Sequence, residues 1–111
     1  MTWTIKFLPK IKKELRKLDK KDSNAILDFL ENKVLPLKDP RTIAIKLKKN
    51  LNEFYKFRVG NFRIIADIQD NKLFILVVRI ANRKDVYKKF KKPKQEAKII
   101  SLSELKNKSK K

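Results

Sequence analysis

Histidine and cysteine are both absent from this 111-residue chain, and it has a single glycine. Without cysteine there is no disulfide framework, no thiolate zinc site and no thiol nucleophile. Without histidine there is no Ser–His catalysis, no imidazole general base and no His-ligated metal. One glycine excludes glycine-rich dinucleotide loops and P-loops. Long apolar runs are also missing: the stretch Phe74-Ile75-Leu76-Val77-Val78 falls far short of the roughly 20 residues a spanning helix needs. Met1-Thr2-Trp3-Thr4-Ile5-Lys6 lacks the apolar stretch of a signal peptide. No membrane partner and a cytoplasmic location are the expectation.

What the chain has in excess is positive charge. It carries 31 Lys or Arg against 12 Asp or Glu, a net charge of +19. A protein this basic repels itself and concentrates polyanions around it, so a partner is implied. Nucleic acid is the leading class, an acidic protein the second and an anionic membrane surface the third. Residues 1–87 alone hold 21 basic and 10 acidic side chains, so the excess belongs to the folded part and not only to the tail. Hydrophobic content of 41 % suits one modest core.

Residues 2–8 alternate around Trp3, Ile5 and Phe7 and read as a first strand. Pro9 can open a helix, because a first-turn residue needs no amide hydrogen. Ile11, Leu15 and Leu18 then recur at helical spacing. A second helix is expected from Asp22 or Ser23, either a good N-cap, with Ile26, Phe29, Leu30 and Val34 as its stripe and Pro36 as its stop. The short gap makes the two an antiparallel helical hairpin. Residues 36–52 read as a connector. From Glu53 the period becomes two, giving strands over 53–59, 62–69 and 72–80, joined by two-residue turns at Gly60-Asn61 and Asp70-Asn71. The expected fold is α+β: a strand and a helical hairpin packed on a twisted antiparallel sheet, in the order β-α-α-β-β-β.

A turn at Gly60-Asn61 pairs Val59 with Phe62, Arg58 with Arg63 and Phe57 with Ile64. One face then shows Tyr55, Phe57, Val59, Phe62, Ile64, Ala66 and Ile68, and must lie under the helices. The other holds Lys56, Arg58, Arg63 and Asp67, beside Ile65, Leu76 and Val78. A one-residue slip buries the charges, so the register is tightly constrained. Two arginines directly opposite each other destabilise a strand pair. Either their long side chains splay apart on a solvated face, or an anion gives the arrangement a purpose. The run Asn82-Arg83-Lys84-Asp85-Val86-Tyr87 follows the last strand and brings a further cation and a phenol.

Two segments, Tyr55-Lys56-Phe57-Arg58-Val59-Gly60-Asn61-Phe62-Arg63-Ile64-Ile65 and Val78-Arg79-Ile80-Ala81-Asn82-Arg83-Lys84-Asp85-Val86-Tyr87, resemble the central hairpin and the post-strand turn of the RelE/ParE toxin superfamily. Pro40-Arg41 and Leu47-Lys48-Lys49-Asn50-Leu51 fit its connector. The resemblance covers about residues 1–90 and leaves 91–111 as a lysine-rich tail. It implies a toxin of a bacterial type II toxin–antitoxin pair. RelE-like members cut mRNA in the ribosomal A site without a metal; ParE-like members poison DNA gyrase. By position, Lys56, Arg58, Arg63, Arg83 and Tyr87 match the elements RelE-like activity uses. The chain departs from the pattern in having Ala81-Asn82 where many relatives have Gly-His, and Arg58 where some have lysine. The Ala81-Asn82 departure keeps a non-cutting RNA-binding module among the readings.

Metal-free RNA cleavage needs a proton acceptor for the 2′-hydroxyl, neutralisation of a phosphorane, and stabilisation of the leaving 5′-oxygen. Lys56 is the expected acceptor, because two neighbouring guanidinium groups disfavour its charged form. Arg63 and Arg58 are expected on the phosphate oxygens, Arg83 at the leaving oxygen, and Tyr87 either stacked on a base or hydrogen-bonded near the scissile phosphate. Lys84 and Lys88 extend the RNA-binding surface. No cofactor is implied. The expected partners are ribosome-bound mRNA with its rRNA surroundings and an acidic antitoxin. In the tail, Ile99, Ile100, Leu102 and Leu105 are able to form one amphipathic turn, and Ser101–Glu104 has capping-box spacing; a frayed, solvated end is the plainer expectation.

Overall fold

The computed structural model describes residues 3–88, 90 and 99–109. Six strands form one sheet in the order β2-β3-β4-β5-β1-β6. The chain runs β1 (Thr4–Phe7), α1 (Lys10–Arg16), α2 (Lys20–Phe29), β2 (Ile45–Lys46), β3 (Tyr55–Val59), β4 (Phe62–Gln69), β5 (Phe74–Asn82), β6 (Ile100–Ser101) and α3 (Leu102–Ser109). The expected α+β class and the antiparallel β3-β4-β5 meander are both present. β1 enters the sheet parallel to β5, which the crossover through two helices makes possible.

The apolar pattern explains the packing. Ile5 and Phe7 from β1, Ile11 and Leu15 from α1, and Ile26, Leu30 and Val34 from the second helix are buried against Phe57, Ile64, Ala66, Ile75 and Val77. Phe29 meets Phe57 edge-on at 6.1 Å. The second helix begins at Lys20, with Asp19 at its N-cap, one turn earlier than expected. Ser23 instead donates its hydroxyl to the Leu15 carbonyl at 2.8 Å, stitching the two helices together. The helix ends in one wide turn over Leu30–Val34, closed by the Leu35 amide donating to the Leu30 carbonyl. A wider turn keeps residues four apart on one face, so Val34 stays beneath Leu30.

The Gly60-Asn61 turn gives the expected register: Val59 faces Phe62, Arg58 faces Arg63 and Phe57 faces Ile64. Gly60 has φ +57, the left-handed conformation this turn requires. The second turn differs. It spans four residues, with Gln69 opposite Phe74 and Leu73 left-handed at φ 49. The register moves by two residues, so the faces keep their parity.

Two features lay beyond the pattern. A bulge places Val78 extra in β5: Ala66 faces Val77, but Ile65 faces Arg79. Strict alternation from Ile75 and Val77 sends Arg79 under the helices; the bulge turns it outward and brings Ile80 inward. The other feature is a second small core on the outer face, where Leu47, Phe54, Ile65, Val78 and Val86 are buried. Its lid comes from the connector, which also contributes the edge strand β2, and from the segment after β5. At the C-terminus, Ile100 and Leu105 pack into the main core. The expected frayed end is replaced over residues 99–109 by β6 and α3, because Ile100 and Leu105 have apolar surface to cover beside β1. The capping box forms: the Glu104 carboxylate accepts the Ser101 amide at 3.2 Å, and the Ser101 hydroxyl accepts the Glu104 amide. Pro93 and most of the lysines before Ile99 lie outside the described residues.

Candidate functional site

Arg58 and Arg63 stand opposite each other near the turn end of the β3-β4 hairpin. Their neighbours Phe57 and Ile64 are wholly buried. Burial of side chains that size contributes about 1.5–3 kcal/mol each, against at most about 1 kcal/mol of cross-strand repulsion. The core therefore sets the register and the arginines accept the consequence. Arg63 turns its guanidinium back, donating to the Gly60 carbonyl at 3.0 Å and the Phe62 carbonyl at 2.9 Å. Arg58 remains exposed.

The same turn receives the segment after β5, where the Arg83 amide donates to the Asn61 carbonyl at 2.8 Å. The Asn82 side-chain oxygen accepts the Lys84 amide at 2.9 Å, and the Asp85 amide bonds the Asn82 carbonyl. Asn82 thus builds the turn that displays Arg83 and Lys84. Asn61, Asn82, Arg83, Lys84, Asp85 and Lys88 line an open cleft of about 350 Å³. Asp85 is its one carboxylate among the described residues, and it pairs with Lys88 at 3.3 Å.

Lys56 and Tyr87 form a separate pair, with the ammonium 5.7 Å from the ring centroid. That is cation–π distance. Tyr87 is 47 % exposed. The site residues expected from the sequence thus fall into three adjoining groups: Lys56 with Tyr87, Arg58 with Arg63, and Arg83 with Lys84 and Lys88. The Gly60-Asn61 turn joins the last two groups. Asp67 accepts a bond from Gln69 at 2.9 Å. Among the described residues, no group of three acidic side chains is arranged to hold a metal.

A family model described as the ParE toxin of the type II toxin–antitoxin system parDE matches residues 5–87. The chain belongs to the ParE toxin family. It is similar to Toxin RelG of Mycobacterium tuberculosis (strain ATCC 25618 / H37Rv), with 22 % identity over 89 residues that cover 80 % of this chain and 100 % of RelG. Its fold matches the toxin–antitoxin complex RelBE2 from Mycobacterium tuberculosis with a TM-score of 0.68 at 20 % identity, covering 75 % of this chain and 100 % of that one. An archaeal RelE–RelB complex from Pyrococcus horikoshii OT3 matches with a TM-score of 0.54 at 26 % identity, over 75 % and 97 % of the two chains. The chain is therefore a type II toxin of the RelE/ParE superfamily.

The toxin holds its post-strand turn with residues that the sequence pattern did not single out. Val86 is 1 % exposed and anchors the turn in the outer core. Arg79 donates to the carbonyls of Val86, Asp85 and Lys88 at 2.7, 3.1 and 3.2 Å. The available signal was a lone charge, Arg79, set among apolar residues of a strand. At the far side of the sheet, Arg41 forks onto Asp70 at 2.7 and 2.9 Å and bonds Tyr55. The bond to Asp70, opposed by partial burial, raises the Arg41 guanidinium further above its ordinary value, and it serves the fold there.

Proposed function

We propose that this toxin is a metal-free endoribonuclease that cleaves mRNA on the ribosome in the bacterial cytoplasm. The observation supporting this reading is the presence of Lys56, Arg58, Arg63, Arg83, Lys84, Tyr87 and Lys88 in three adjoining groups on the β3-β4 hairpin and the segment after β5. In the proposed reaction the RNA 2′-hydroxyl attacks the adjacent phosphorus in line and gives its proton to Lys56, which acts in its neutral amine form. Arg63 and Arg58 neutralise the non-bridging oxygens as the phosphorane forms. The P–O5′ bond breaks beside Arg83, which stabilises the departing oxyanion until it takes a proton from water, leaving a 2′,3′-cyclic phosphate and a 5′-hydroxyl. Tyr87 stacks on a base, as its exposed ring over Lys56 permits. Lys84 and Lys88 follow the backbone along the cleft.

Such spare chemistry makes substrate orientation by the ribosome worth several kcal/mol, so free RNA is cut slowly or not at all. An acidic antitoxin offsets the net charge of +19. The match to the ParE model supports a second reading, a gyrase-inhibiting binder that does not need the cluster. Induction of the toxin separates the two. Ribosomal mRNA fragments ending in 2′,3′-cyclic phosphate are expected, and they disappear when Lys56, Arg63 and Arg83 are together replaced by alanine. DNA damage with intact message supports the gyrase reading instead. Undiminished transcript breakage by the folded triple variant refutes the assigned roles.

A further inference from the structure

β1 gives out halfway along β5. Its last ladder bond runs from the Leu8 amide to the Val77 carbonyl, so the second half of β5 has an open edge. The bulge at Val78 aims the Ile80 amide at that edge. There Glu14 of α1 takes the place of a strand: its carboxylate accepts the Ile80 amide at 2.7 Å and the Arg79 guanidinium at 3.2 Å. Arg79 directs Nε and Nη2 at the three carbonyls of the 85–88 segment. Both side chains are largely shielded, at 18 % exposure for Arg79 and 14 % for Glu14.

We infer that Glu14 and Arg79 are positioning residues for the turn that presents Arg83 and Tyr87, joining α1 to the site through the bulge in β5. A guanidinium satisfies several carbonyls only when its plane is held, and a carboxylate on one nitrogen holds it. Bonds of this charge-assisted kind are individually strong where water is scarce. Both Glu14 oxygens are engaged, one by the Ile80 amide and one by the Arg79 guanidinium, so its influence on the turn passes through Arg79. The inference rests on the proposed ribonuclease reading for its functional consequence, but not for its structural one.

The test uses the full chain with Arg79→Lys, Glu14→Ala and Glu14→Gln. Lysine keeps the charge and loses the planar fork; glutamine keeps an acceptor for Ile80 and loses the charge on Arg79. Amide exchange at Asp85 and Lys88 is expected to quicken about tenfold or more in Arg79→Lys and Glu14→Ala, with exchange at Ile64 and Ile75 unchanged. Glu14→Gln restores part of the protection. Single-turnover cleavage of ribosome-bound mRNA falls about tenfold with binding held within twofold. If the turn amides stay protected in both Arg79→Lys and Glu14→Ala, the inference is overturned. It is overturned equally if every amide in the sheet loses protection together, which marks a general structural loss. Where the unaltered toxin does not cleave at all, the ribonuclease reading fails and the exchange comparison still decides the positioning roles.

Discussion

Replacing Arg58 with threonine is expected to make the toxin more stable and worse at binding RNA. Threonine suits an exposed strand position, and it removes a cation facing Arg63 across the ladder. At a charge separation of roughly 7 Å, repulsion in a water-like medium is about 0.6 kcal/mol. The Debye length is about 30 Å at 0.01 M salt and about 3 Å at 1 M. The penalty is then about 0.5 kcal/mol at low salt and below about 0.1 kcal/mol at high salt. With a urea slope near 1.5 kcal/mol/M, the low-salt gain moves the midpoint up by about 0.3 M. Loss of any cation relieves a highly charged protein, so the pair must be isolated by a double-mutant cycle with Arg63→Thr. The cycle also cancels the loss of the Arg63 bonds to Gly60 and Phe62. A coupling of zero, or an attractive one, at 0.01 M salt refutes the claim that these arginines oppose each other. RNA affinity supplies the other half: one fewer phosphate contact lowers the slope of log affinity against log salt by about one.

Val86→Ala removes two buried methyl groups beside Ile65 and Val78 and should destabilise the toxin by about 2 kcal/mol in urea titration; a loss under about 0.5 kcal/mol contradicts the anchoring role. Gly60→Ala meets no neighbour within 4 Å, so its expected cost of about 1 kcal/mol comes from the positive φ alone, and an unchanged midpoint refutes that. The Ser101 amide, with Lys12 and Lys6 nearby, holds the Glu104 carboxyl below its ordinary 4.5. A depressed carboxylate stabilises above its unfolded value and loses that contribution as pH falls through the folded one. Protection of α3 amides, measured against their intrinsic exchange rates, should therefore fall below about pH 4.5, and Glu104→Gln should flatten that dependence.

Alternation of small turns and apolar residues made the meander readable in advance. A single register hides Phe57 and Ile64 while leaving Lys56 and Arg58 wet, so the charged hairpin face was legible from local pattern alone. The helical hairpin was legible for the same reason, although its start at Lys20 was not, because Ser23 found a tertiary partner in Leu15 instead of a capping role. The capping box at Ser101 was visible, but its use depended on Ile100 and Leu105 finding apolar surface beside β1.

Charge, the missing histidine and cysteine, and the period of each segment are properties of residues near one another in the chain, and the sequence by itself determined them. Which strand lies beside which is not. The parallel seat of β1 and the Glu14 carboxylate closing the open edge of β5 join residues more than 60 positions apart, and the bulge at Val78 that turns Arg79 outward is a shift of register against the neighbouring strand. No local periodicity encodes such contacts. They arise only when the core closes and each amide left without a strand must find another acceptor.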